Sequence, residues 1–170
     1  LYQCFMNLGH KCGLLSTIKY SIAGTDTVST HTTPNSVRIN ELLAEMVDTG
    51  CEYAFMEVSS HALHQSRTTG LEFEGAVFTN ITHDHLDYHT DFREYLYTKK
   101  LLFDGLKSDA FALVNKDDKN GQVMVQNTKA TRYTYSLKSM SDFKARILES
   151  DFEGMLLEIS KTEVWLRLVG

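Results

Sequence analysis

Ala76-Val77-Phe78-Thr79-Asn80-Ile81-Thr82-His83-Asp84-His85-Leu86-Asp87-Tyr88-His89 is the stretch whose reading decides the fold. It opens as a short, unbroken apolar run and passes directly into a cluster of imidazoles and carboxylates. A run this short, apolar at every position, is the pattern of a strand covered on both faces of a parallel sheet. Open parallel sheets place their ligand sites just beyond the carboxyl ends of such strands. Upstream, Tyr53–Val58 repeats the same pattern and ends in Glu57-Val58-Ser59-Ser60-His61. Two such strands, each running into polar residues, point to an α/β fold with its chemistry along one edge.

The elements around them agree. A helix runs through about Leu8 and stops at Gly9, and Cys12–Thr17 follows as a short apolar strand. Tyr20–Thr33 is polar and rich in Gly and Thr, and reads as a loop with room for a short hairpin; it ends at Pro34, the only proline. Asn35 or Ser36 caps a helix to about Thr49, closed by Gly50. Its apolar residues Ile39, Leu42, Leu43, Met46 and Val47 fall at helical spacing and predict one buried face. A helix from about Asp91 to Phe103, a strand at Ala110–Val114 and a short helix near Lys119–Asn127 continue the alternation. After residue 130 the texture changes to strands at Arg132–Ser136, Lys144–Glu149, Met155–Ile159 and Glu163–Val169, with Glu153-Gly154 marking a turn. The expected fold is therefore α/β: a doubly wound, mostly parallel sheet over residues 1–127, with a small antiparallel strand layer appended over 128–170.

Composition narrows the function classes. The 170 residues carry a net charge of −5 and are 42% apolar. That balance supports a packed core and speaks against a general nucleic-acid or membrane-surface binder. No stretch of eighteen apolar residues and no leader pattern is present. Three cysteines, Cys4, Cys12 and Cys51, form no CxxC pair, which predicts reduced thiols and a cytoplasmic location. The first and last residues read as the interior of a helix and of a strand, so the chain reads as a piece of a longer protein.

Three features carry the chemistry. His83, Asp84, His85, Asp87 and His89 put five potential metal ligands within seven residues. A dinuclear metallo-hydrolase of the β-lactamase type has HxHxDH at such a place; here Tyr88 separates Asp87 from His89, and His61 and His64 lie upstream rather than downstream. Glu57 closes a strand, where a carboxylate must be paired, cap a turn, or hold a hard cation such as Mg²⁺. On the helix from Asp91 the apolar stripe is Phe92, Tyr95, Leu96, Leu102 and Phe103. Lys99 falls inside that stripe and Lys100 is expected to turn towards its edge. A lysine placed like Lys99 either snorkels or has its amine desolvated and its pKa lowered. A neutral amine can add CO₂ and become a metal-binding carbamate.

His31-Thr32-Thr33-Pro34, Met56-Glu57-Val58-Ser59-Ser60-His61-Ala62-Leu63 and Phe78–His89 together resemble the central domain of the Mur ligases. The resemblance runs over residues 1–170, is strongest between Thr32 and Phe103, and marks the chain as a partial, ATP-binding central domain of the P-loop NTPase-like kind. Within the family it points to the ligases that add meso-diaminopimelate or L-lysine to UDP-N-acetylmuramoyl-L-Ala-D-Glu. The resemblance implies that Thr32, Thr33, Ser59, Gln65 and Arg67 bind that UDP-sugar dipeptide. It implies that Glu57, His85 and a carbamylated Lys99 serve the Mg²⁺ site, with His85 and Lys99 catalytic and ATP as co-substrate. The family usually has Arg where His83 stands, and its GxxGKT phosphate loop is not among these residues. Beside the ligase, a metal-dependent hydrolase and an inactive fragment keeping only the fold are the alternatives.

Overall fold

The structure, a computed structural model, describes residues 1–82 and 88–167. Two compact units divide the chain, Leu1–Leu71 and Glu72–Gly170.

The first unit contains α1 (Tyr2–Asn7), β1 (Cys12–Leu15), β2 (Lys19–Ile22), β3 (Thr25–Val28), α2 (Ser36–Asp48), β4 (Tyr53–Met56) and α3 (Ser60–His64). Its sheet has the order β3-β2-β1-β4, with β1 and β4 parallel and the other pairs antiparallel. Leu15, Tyr20, Ile39, Leu42 and Met46 form its core, with Ile22, Leu43, Cys51, Met56 and Leu71 packed against them. Helix α2 starts where Asn35 Oδ1 accepts from Arg38 N at 2.9 Å. It lies close on β1 because residue 13 is glycine: a Cβ there would stand 2.1 Å from Met46 Sδ.

Three expectations for this unit change. The polar stretch after Tyr20 is a hairpin, β2–β3, closed by Ala23 and Gly24 at φ 48° and 90°. Every residue of β3 is exposed, so the strand had no apolar alternation to announce it; positive φ at both turn residues suits the right-handed twist of the ribbon. Strand β4 is not covered on both faces: Tyr53 and Ala54 are exposed. It is the last strand of its sheet, and Phe5 of α1 packs edge-on to Tyr53 and Phe55, at 4.7 and 5.2 Å between ring centroids. Val47, placed on the buried face by spacing, is 72% exposed, because that face is centred on Ile39, Leu42 and Met46.

The second unit contains β5 (Gly75–Phe78), α4 (Phe92–Asp104), β6 (Phe111–Asn115), α5 (Gly121–Met124), β7 (Thr131–Ser136), β8 (Phe143–Ser150), β9 (Met155–Ile159) and β10 (Thr162–Leu166). One six-stranded sheet runs β10-β9-β8-β7-β6-β5. Strands β5 to β8 pair in parallel and β8 to β10 antiparallel, so the meander continues the parallel strip rather than standing as a sheet of its own. The β5–α4–β6 segment packs Phe78, Tyr95, Leu96, Phe103, Ala112 and Val114 into one core. Asp91 caps α4, accepting from Glu94 N at 2.8 Å, while the Glu94 carboxylate receives Thr90 N at 2.6 Å. That is a reciprocal start signal of the capping-box kind.

The stripe on α4 also needs correction. Lys100 does not turn to the edge; it is 3% exposed. Its Nζ donates to Asp104 Oδ2 at 2.6 Å and to Asn127 Oδ1 at 2.8 Å. Lys100 lies between Leu96 and Phe103 at helical spacing, and a lysine enters such a stripe when a carboxylate one turn on and an amide from the neighbouring loop saturate its ammonium group.

Candidate functional site

The first unit brings six of the eight expected site residues together. Strands β1 and β4 run in parallel with Leu15 opposite Met56, so the residues following each emerge at the same carboxyl edge. Glu57 is tied there through its own N–H, which donates to Leu15 O at 2.9 Å. Its carboxylate then receives Thr17 twice: Thr17 N donates to Glu57 Oε2 at 2.8 Å and Thr17 Oγ1 donates to the same oxygen at 2.6 Å. Thr17 Oγ1 in turn lies 3.0 Å from Thr32 Oγ1.

Thr32 and Thr33 are neighbours with opposite surroundings. Thr33 is 1% exposed. Its hydroxyl donates to Glu57 O at 2.7 Å and accepts from Ser59 N at 3.0 Å, stitching the loop to the end of β4. Thr32 is only partly covered and faces Thr17. Ser59 caps α3 by accepting from Ala62 N at 3.2 Å, which leaves its hydroxyl proton for a ligand.

Arg67 is oriented from two sides. Its Nη1 donates to Thr33 O at 2.7 Å, and its Nε and Nη2 both donate to Gln65 Oε1, at 3.0 and 2.6 Å. A guanidinium has five N–H groups, so two remain to address an anion. Arg67 belongs to the wall of a cleft of about 480 Å³ that is also lined by His31, Asn35, Arg38 and Gln65. The loop carrying His31 is held by one phenol: Tyr20 donates to His31 O at 2.7 Å and accepts from His31 N at 3.2 Å.

Glu57 suits a hard cation. Its side chain is exposed and, among the described residues, Oε1 receives no hydrogen bond while Oε2 is occupied by Thr17. One carboxylate oxygen completed by water and phosphate oxygens is the usual way Mg²⁺ is held. No group of three His, Cys, Asp or Glu side chains suited to a metal occurs among the described residues. His85, with His83, Asp84 and Asp87, lies outside the described residues.

Lys99 lies in the second unit. It is half-buried, its Nζ sits 5.3 Å from the centre of the Tyr95 ring, and burial lowers its pKa from the ordinary lysine value. Of the two outcomes the stripe on α4 left open, snorkelling and desolvation, the lowered pKa marks the second. His89, the last imidazole of the cluster, is 2% exposed and packs on Tyr95 with centroids 5.3 Å apart. Tyr95 thus meets His89 and Lys99 alike.

Two features escaped the sequence reading. Thr17 carried no motif of its own; the signal lay in the pairing, since a residue just past β1 must stand beside the residue just past β4. The other is the turn after β6. There Asp117 Oδ1 accepts from Ser136 Oγ at 2.7 Å and Oδ2 from Leu137 N at 2.7 Å, which holds its carboxyl down at about 2. Asp118 likewise receives Ile81 N at 3.0 Å, binding the segment after β5 to the same turn.

The chain matches the Mur ligase middle domain over residues 1–170. It is 52% identical over 170 residues to UDP-N-acetylmuramoyl-L-alanyl-D-glutamate--2,6-diaminopimelate ligase of Cytophaga hutchinsonii, covering all of this chain and 35% of that protein. The solved structure of a ligase of the same name aligns with a TM-score of 0.83 at 25% identity, over 99% of this chain and 36% of that one. A MurF ligase from Thermotoga maritima in complex with ADP shares the fold, with a TM-score of 0.61 at 14% identity over 99% of this chain and 36% of that one. The chain thus spans about a third of the length of the relative it matches, and it belongs to the Mur ligase family as a middle domain.

Proposed function

We propose that this chain is the central part of an ATP-dependent ligase that joins meso-diaminopimelate or L-lysine to UDP-N-acetylmuramoyl-L-Ala-D-Glu. The observation that carries the reading is the convergence of Glu57, Thr32, Thr33, Ser59, Gln65 and Arg67 on one edge of the first unit, beside a cleft with two guanidinium groups. A cleft so lined suits a substrate bearing a diphosphate and carboxylates, and suits a neutral lactam or ester poorly. Family membership over the full chain also favours ligation over the hydrolase reading.

In this reading the substrate's terminal carboxylate takes the γ-phosphoryl group of ATP, and the incoming amine then displaces phosphate to leave an amide. Bound Mg²⁺ would supply charge neutralisation for the transferring phosphoryl group. Glu57, with His85, would hold it. Arg67 orients the UDP-sugar dipeptide through its two remaining N–H groups, and Gln65 keeps the guanidinium plane fixed while it does so. Ser59 offers a hydroxyl proton from the start of α3. Lys99, desolvated against Tyr95, is the amine poised to become a carbamate and so to present an anion in place of a cation. Such a reaction draws on ATP and a UDP-linked precursor, which places it in the cytoplasm; no helix among the described residues is long and apolar enough to cross a membrane.

The test uses the full-length ligase. Glu57→Ala and His85→Ala should abolish turnover at any Mg²⁺ concentration while leaving circular dichroism unchanged. Arg67→Ala should weaken binding of the UDP-substrate in calorimetry while leaving ATP binding intact. Near-normal turnover in Glu57→Ala, or unchanged UDP-substrate affinity in Arg67→Ala, would remove that residue from the site.

A further inference from the structure

We propose that Thr17 is a positioning residue that presents Glu57 to the cation and fixes Thr32 as a hydrogen-bond acceptor towards the substrate. The inference rests on the ligase reading above and adds to it an atom-level division of labour.

The argument is a count of protons. A carboxylate only accepts, so the Thr17 hydroxyl, 2.6 Å from Glu57 Oε2, must spend its single proton there. The 3.0 Å contact between Thr17 Oγ1 and Thr32 Oγ1 can then be made only by the Thr32 proton. Thr32 is left with lone pairs and no proton. Its side chain can therefore meet an N–H or O–H of the substrate and has nothing to donate to a phosphate or carboxylate oxygen. The anionic groups fall instead to Arg67, which lines the cleft and keeps two N–H groups unused. Thr33 takes no such part, since its hydroxyl already donates to Glu57 O and accepts from Ser59 N.

The same hydroxyl sets the rotamer of Glu57. With Thr17 N and Oγ1 both on Oε2, the carboxylate is pinned by one oxygen and turns the other outward. The Thr17 carbonyl is held in its turn by Ser29 Oγ at 2.5 Å, so the anchor does not drift. One threonine thus connects the cation ligand to the substrate contact through a chain running Thr32 to Thr17 to Glu57.

Thr17→Val, Thr17→Ser and Thr32→Val in the full-length ligase test this, with Glu57→Ala as reference. UDP-substrate affinity is measured by calorimetry without ATP or Mg²⁺, and the Mg²⁺ concentration for half-maximal rate is measured separately. Thr17→Val should raise the Mg²⁺ requirement and weaken the substrate, each by about three- to tenfold, the size of one lost hydrogen bond. Thr17→Ser, which keeps the hydroxyl, should restore both. Thr32→Val should weaken the substrate alone, because the Thr17–Glu57 bond survives it. Normal affinity and Mg²⁺ requirement in Thr17→Val, beside a dead Glu57→Ala, would overturn the chain while leaving the ligase reading standing. A Mg²⁺ requirement moved equally by Thr32→Val and Thr17→Val would overturn its direction. Full activity in Glu57→Ala would remove Glu57 from the cation site and the chain with it, whereas no ATP-dependent ligation by the wild-type full-length protein would overturn the ligase reading itself.

Discussion

Replacing Lys100 by alanine should loosen α4 severely, although its hydrogen bonds go to Asp104 and Asn127 rather than to any candidate site residue. The side chain is 3% exposed and its ammonium group is held by both oxygens of Asp104 and by Asn127 Oδ1. Removing one partner of a buried pair costs about 3–5 kcal/mol when the other charge stays buried. Asp104 is 34% exposed, so water rehydrates it and the polar part falls to about 1–2 kcal/mol. The lost stem adds about 0.8 kcal/mol for each buried methylene, partly offset by collapse. A total near 3 kcal/mol is expected, about two orders of magnitude in an opening equilibrium. Hydrogen exchange of the α4 amides in the full-length ligase, followed by mass spectrometry, reads that directly. Lys100→Met with Asp104→Leu should recover most of the protection, since two apolar residues of similar size leave no charge stranded. Exchange in Lys100→Ala within about threefold of wild type would refute the reasoning, and would mean that α4 is held by its apolar face alone.

The same helix makes a contrasting prediction. Lys99→Ala should keep the protection of α4 but lose most turnover, and millimolar formate or acetate should restore part of the rate by standing in for a carbamate; no rescue would return Lys99 to a snorkelling role. Gly121→Ala should destabilise the β6–α5 junction by about 2 kcal/mol or more, because its Cβ would meet the Asn115 carbonyl oxygen at 2.3 Å. A denaturation midpoint unchanged from wild type would show that the helix start can shift. Asp117 has its carboxyl lowered to about 2, first by the Ser136 hydroxyl and then, against the opposing effect of burial, by backbone donors. The stability it contributes is therefore present above the unfolded carboxylate range near pH 4 and is lost as pH falls towards 2. Asp117→Asn should flatten that part of the acid-unfolding curve, and an unchanged slope would place the acid sensitivity elsewhere.

How much of this could be read beforehand follows from what each signal measures. Periodicity reports burial, so α2, α4 and the strand at Met155–Ile159 were legible almost to the residue. It fails where burial is absent or polar. Strand β3 is exposed at every position and formed by a ribbon turn rather than by an apolar face. Lys100 is buried through a carboxylate four residues on, which a stripe drawn from apolar residues cannot include. Strand β4 had the composition of a covered strand and stands at the end of its sheet, because pairing partners, not composition, decide which strand lies at an edge.

The candidate site shows the same limit at the level of atoms. The family resemblance could nominate Thr32 and Thr33 together, because both match one pair of its motif. It could not divide their work, since residues 31–33 form a bend in which neighbouring side chains need not face the same way. Thr33 points inward and ties the loop to Glu57 and Ser59, whereas Thr32 points to Thr17 and the solvent edge. The residue that separates them, Thr17, lies fifteen positions away in the chain from Thr32 and forty from Glu57. Only the parallel pairing of β1 with β4 brings it between the two. Its one proton then determines what Thr32 can offer. A binding residue in this loop is thus defined less by its side chain than by which of that side chain's hydrogen-bonding positions the fold has already filled.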